Sequence, residues 1–216
     1  MFVRSEIKSK AKEQIKGNIG ILFVCMLVVG VIVGLPSSLS QVIAPINVSN
    51  ITNIGVTEIV VMIIAVIFVW IITPALQMGI IKIYLGLSNG KKPEVGDVFS
   101  GFSIFGKAWW LSFITNFFIM MWSILFFIPG IIKGYSYSMA IYILAENPTM
   151  TAREALNESK RITQGAKVNL FVLDLSFIGW AILCGITFGI LLIYVIPYMN
   201  ATYVNAYKAI KERNAQ

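Results

Sequence analysis

The chain has no histidine, only two cysteines and only ten acidic residues among its 216. Without histidine it lacks the commonest metal ligand and the one side chain that titrates near neutral pH. Cys25 and Cys184 fall in separate apolar runs, where a thiol behaves as a small hydrophobe. Neither a disulfide nor a zinc site is expected from them. There is no Gly-rich phosphate loop, HExxH or Gly-x-Ser-x-Gly elbow. Glu94 and Asp97 have no further ligands with which to hold a metal. No catalytic residue, no metal and no cofactor is therefore expected, and the chain does not read as an enzyme. The formal net charge is +7, yet no basic stripe interleaved with aromatics accompanies it, so nucleic acid is not an expected partner.

Charged residues make up only 12% of the chain and hydrophobic ones 57%, which lies outside the range of soluble domains. The apolar residues are gathered into six long runs, and the cations are sorted between them. Arg4, Lys8, Lys10, Lys12 and Lys16 precede the first run. Lys91, Lys92 and Lys107 lie between the second and third. Arg153, Lys160, Arg161 and Lys167 lie between the fourth and fifth, and Lys208, Lys211 and Arg213 follow the sixth. Short loops rich in Lys and Arg stay cytoplasmic. The expectation is an all-α integral membrane protein: six transmembrane helices, both termini inside, and amphipathic interfacial helices on the cytoplasmic side. The basic inner surface would meet anionic lipid headgroups.

The whole chain, 1–216, reads as a single polytopic domain. Residues 2–16 predict an amphipathic helix with Val3, Ile7, Ala11 and Ile15 on one stripe, lying flat in the interface. Spans are expected at about 18–35, 58–87, 108–128, 131–146, 168–184 and 190–207. Residues 36–57 predict an outside loop whose Asn47 and Asn50 sequons carry no weight in a bacterial protein. Asp97 to Phe102 reads as a short apolar turn resting on the membrane surface. Trp109 and Trp110 mark an interface, and Pro129-Gly130 predicts a tight outside turn. Thr151-Ala-Arg-Glu154 is a capping box opening an inside helix over 151–164, with Ala152, Ala155, Leu156, Ser159 and Ile162 on one face. Three times an inside segment ends at or near a glycine, Gly17, Gly106 and Gly165, before a hairpin, a weak threefold repeat. Small pairs such as Gly30–Gly34 permit close helix approach without establishing an oligomer.

At 1.5 Å of rise per residue, Lys82 lies roughly 8 Å and Asp174 roughly 9 Å below the inner boundary. Asn116 and Asn200 lie roughly 12 Å deep, and Gln77 roughly 15 Å. Ionisable groups at such depth cost several kcal/mol unless paired or hydrated. The economical arrangement is Lys82 facing Asp174 with the amides nearby. Two readings follow: a polar cavity open to the cytoplasm, or a structural set of interhelical bonds with Lys82 snorkelling to the inner surface. Lys133 is the one cation beside the outer turn, where it can snorkel outward or belong to a vestibule.

Arg4-Ser-Glu-Ile-Lys8 with Gln14-Ile-Lys-Gly-Asn18 resembles the opening of a bacterial membrane family known as domain of unknown function 975. Asp97-Val-Phe-Ser-Gly-Phe102, Ile128-Pro-Gly-Ile-Ile-Lys133, Ala145-Glu-Asn-Pro148, Ala155-Leu-Asn-Glu-Ser159, Leu175-Ser-Phe-Ile-Gly-Trp180 and Pro197-Tyr198 extend the resemblance along the chain. The architecture is also distantly similar to the membrane domain attached to some glycerophosphodiester phosphodiesterases. The resemblance implies a non-catalytic membrane module and makes Lys133 a motif position. The functional expectation is binding or translocation of a lipidic or amphipathic peptide ligand, in envelope maintenance or protection against antimicrobial peptides. The rival is a scaffold docking a membrane or cytoplasmic protein partner through 88–107 and 151–165.

Overall fold

A computed structural model describes residues 2–43 and 56–215, and among them it contains helices and no strand. The Asn47 and Asn50 sequons lie outside the described residues. The helices are α1 (Arg4–Ile15), α2 (Ile19–Ile43), α3 (Val56–Ser88), a 3-10 segment (Val95–Ile104), α4 (Phe105–Leu125), α5 (Phe127–Tyr137), α6 (Ala140–Glu146), α7 (Ala152–Ile162), α8 (Lys167–Leu175), α9 (Ile178–Ile186) and α10 (Leu192–Ala215). Four stretches are long and apolar enough to cross a membrane: Ile19–Pro36, Val56–Ser88, Val95–Leu125 and Lys167–Ile186. Along them the chain exposes large apolar residues, for example Ile64, Val66, Ile124, Val168, Ile182 and Ile186. A surface of that kind is unstable in water and suits a lipid solvent.

The buried residues gather instead around α1, the C-terminal part of α3, α6, α7 and the C-terminal half of α10. Ile7, Ala11 and Ile15 form the expected stripe of α1. It does not lie bare in an interface. It packs on α10, and Gln14 and Asn205 exchange hydrogen bonds at 3.2 and 2.9 Å. Gly17, at φ +81°, takes the left-handed conformation that lets the chain turn from α1 into α2. The capping box forms as read. The Glu154 backbone N–H donates to Thr151 Oγ1 (3.2 Å) and the Thr151 N–H to Glu154 Oε2 (2.8 Å). The five residues expected on the inner face of α7 are all buried.

Several boundaries move. α2 continues through Pro36 to Ile43, so the outside loop begins later than expected. α4 ends at Leu125, the extended backbone of Phe126 makes the turn, and Pro129 and Gly130 lie in the first turn of α5. A proline there loses no hydrogen bond, because the first amides of a helix have no internal acceptor. Gly130 allows α5 to meet α4, since a Cβ would stand 2.9 Å from Ser123 Cα. The expected span 131–146 is broken at Ser138–Met139, and 168–184 is broken at Ser176–Phe177. The 3-10 segment ends at Ile104, two residues before Gly106, but Gly106 is the second residue of α4 and lacks the positive φ that Gly17 and Gly165 share.

The 3-10 segment has α3 as its partner, with Phe99 and Phe102 left exposed. It packs along α3 so closely that a Cβ on Gly79 would stand 1.8 Å from the Val98 carbonyl oxygen, and one on Gly101 would stand 1.9 Å from the Ala75 oxygen. Trp109 turns inward against Trp70 of α3, ring centroids 5.0 Å apart, while Trp110 stays exposed.

Candidate functional site

Lys82 and Asp174 do not meet. The Lys82 ammonium donates to the Ser100 carbonyl oxygen (3.0 Å) and to Ser103 Oγ (3.3 Å), both in the 3-10 segment. That segment occupies the flank of α3 that the expected pairing required to be open. Lys82 therefore has a local partner, and the ion pair across helices is corrected. Asp174 is held by phenols instead: Tyr135 of α5 donates to Oδ2 at 2.6 Å, and Tyr203 of α10 donates to Oδ1. Tyr135 was visible in the sequence as part of a polar run. Tyr203 stood out by nothing except its distance of one helical turn from Asn200.

The three amides do not satisfy one another either. The Asn200 amide donates to the Ile196 carbonyl of its own helix at 3.1 Å. Gln77 and Asn116 make no side-chain hydrogen bond among the described residues, and the buried Thr115 hydroxyl beside Asn116 has no partner. They are nevertheless brought together. Gln77 and Asn116 line one cavity of about 350 Å³ with Trp70, Trp109, Phe113 and Thr73. They line a second of about 190 Å³ with Thr115, Tyr137 and Ser138. Gln77 also meets Asn200 in a third, of about 430 Å³, whose walls include Gly30, Gly34 and Ile80. Gln77 thus stands where three cavities converge. The Gln77 and Asn116 amides are both exposed at the protein surface. Where lipid covers that surface an amide left unpaired costs roughly 2–7 kcal/mol, a cost that water or a ligand removes.

Ser138 connects this group to Asp174. It lines the Gln77–Asn116 cavity and also a cavity of about 240 Å³ bounded by Tyr135, Tyr142, Asp174 and Tyr203. The break between α5 and α6 places it there. Lys133, the outer-turn cation, lies over the ring of Trp122 at 4.9 Å from its centroid. An intramolecular cation–π contact, worth about 0.5–1 kcal/mol at an exposed site, occupies it.

A second polar centre, missed in the sequence, surrounds the C-terminal half of α10. Lys208 donates to the Ser88 carbonyl and to Asn89 Oδ1 at 3.2 and 2.5 Å. Tyr207 (2.5 Å) and Lys211 (2.6 Å) both donate to Glu146 Oε2. Arg213 and Asn214 donate to the Ile162 carbonyl at 3.2 and 3.0 Å, and Arg213 also reaches the Gln164 carbonyl at 2.6 Å. Burial lowers the Lys208 pKa from the ordinary lysine value. These bonds tie the ends of α3, α6 and α7 to one helix.

No group of three or more Cys, Asp or Glu residues able to hold a metal occurs among the described residues. No curated protein and no solved structure matches the chain. A family model does, over residues 1–133 and 124–214, which together take in nearly the whole chain. The chain belongs to that family, described as "Protein of unknown function (DUF975)".

Proposed function

We propose that the protein is a non-catalytic multipass component of the bacterial cytoplasmic membrane that binds an amphiphile, a lipid or an amphipathic peptide, in the cavities around Gln77. In this reading α5–α6 and α10 complete six crossings, with the termini inside as the cation distribution requires. The observation that carries the reading is the Gln77 amide: exposed on an apolar helix, without a side-chain hydrogen bond among the described residues, and shared by three clefts. Two of them are walled mainly by aromatic and aliphatic side chains, and the third by Thr115, Asn116, Tyr137 and Ser138 as well. A few polar groups in a mainly apolar cleft are the ordinary make-up of a small-molecule site. A purely structural amide set would have closed its own hydrogen bonds. The scaffold reading has less support, because the inner segments 95–104 and 152–162 use their packing faces on α3, α4 and α6.

The test is native mass spectrometry of gently extracted protein, comparing wild type with Gln77→Leu. Wild type should retain an amphiphile that the variant loses, with the melting temperature little changed. If wild type carries nothing above the detergent background, or Gln77→Leu retains the same adducts, the reading fails.

A further inference from the structure

Asp174 lies in a stretch apolar enough to span a membrane, yet no cation neutralises it. The ion pairs among the described residues join Lys10 to Glu6, Lys91 to Asp97, Arg161 to Glu158 and Lys211 to Glu146. The residues outside that description contain no Lys or Arg. Two phenol hydroxyls reach the carboxylate, one on each oxygen, which leaves half of its acceptor capacity unused. The carboxylate lines a cavity together with Tyr135, Tyr142, Tyr203 and Met139. Hydrogen bonds hold the charge in place without cancelling it, and an uncompensated charge in hydrocarbon is expensive.

We infer that this cavity receives the ammonium group of a membrane lipid, with Asp174 as counter-ion and the tyrosines as an aromatic surround. This rests on the amphiphile reading above and gives that ligand its headgroup. A carboxylate set among aromatic rings is the chemistry that recognises alkylammonium groups. At about 240 Å³ the space falls below the 300–1,000 Å³ typical of sites that enclose a whole small molecule. A headgroup fits, and the acyl chains must lie elsewhere. Ser138 sets the direction, because it is shared with the Gln77–Asn116 cavity, whose neighbouring walls are aromatic and aliphatic.

The experiment uses the full chain in detergent, titrated with phosphatidylethanolamine or phosphatidylglycerol of identical acyl chains and read by native mass spectrometry. Wild type should bind the ethanolamine lipid at least tenfold more tightly. Asp174→Asn, which keeps an acceptor and a donor for the two tyrosines, should abolish that preference by weakening the ethanolamine lipid. Phosphatidylglycerol, an anion that gains nothing from a carboxylate, should bind the variant no more weakly than wild type. Gln77→Leu should weaken both lipids equally, which separates failure of the headgroup assignment from failure of the amphiphile reading. An absent preference, or one that survives Asp174→Asn, overturns the inference. So does Asp174-dependent binding confined to a lysine-bearing amphipathic peptide and lost when its lysines are acetylated.

Discussion

Lys82 of α3 bonds to the 3-10 segment, and Asp174 of α8 to the phenols of Tyr135 and Tyr203. Counting residues along a helix gives each an expected depth but not a partner. Their pairing depends on which faces oppose, and the 3-10 segment interposed on α3 decides that. No periodicity in Val95–Ile104 announces that it packs along α3, because the fit relies on two bare backbones. A double-mutant cycle of Lys82→Met with Asp174→Asn should therefore be additive within about 0.5 kcal/mol in thermal unfolding, as for sites that share no partner. Coupling well beyond that would restore the ion pair. The glycines make the sharper prediction. Gly79→Ala or Gly101→Ala puts a methyl into a main-chain carbonyl, which unlike a flexible side chain cannot swing aside. Over-packing costs about 1–3 kcal/mol even where side chains yield, so each variant should melt lower by at least that much. Gly20→Ala, whose Cβ meets nothing within 4 Å, is the control that should not.

Among the elements, α7 was the most legible and the apolar segments the least. Capping chemistry is local, so Thr151 and Glu154 specify the start of α7 without help from tertiary structure. The breaks at Ser138–Met139 and Ser176–Phe177 carry no proline or glycine of their own, and the serine at each is a residue common inside helices of membrane proteins. They are held by contacts distant in sequence: the Ser159 hydroxyl of α7 donates to the Ser136 carbonyl at 2.8 Å, and Lys8 of α1 lies 4.4 Å over the Phe177 ring. Thr151→Ala should cost about 0.5–2 kcal/mol, read as a lower melting temperature in detergent. The Thr151 backbone N–H, and then its side chain, lower the Glu154 pKa from the ordinary glutamate value. A depressed folded-state pKa means that this contribution is complete above the unfolded value of about 4.3 and is lost as pH falls through the folded one. The stability difference between wild type and Glu154→Gln should accordingly shrink on acidification below about pH 4.3. A difference that stays constant to pH 3 would rule out the carboxylate as its source.

For the whole molecule, the cation distribution and the packing core identify the same end. The residues that close the structure around α10 are the ones the charge pattern assigns to the cytoplasm, and the exposed apolar side chains lie on the remaining lengths of helix. A chain in lipid gains little from burying aliphatic groups against one another, so the hydrophobic effect works where water is present, and a compact core forms there. In this light α1 is a packed element of that core rather than an independent anchor. The two roles give opposite expectations for a protein truncated after Tyr207, which loses Lys208, Lys211, Arg213 and Asn214 and with them the ties to α3, α6 and α7. If lipid alone holds the stripe Ile7, Ala11 and Ile15, trypsin should cut at Lys8, Lys10 and Lys12 equally fast in both proteins. With α10 as the partner, the truncated protein reconstituted in the same vesicles should be cut within α1 at least several-fold faster. The apolar segments should remain intact in both, since the exposed residues along them already face the lipid.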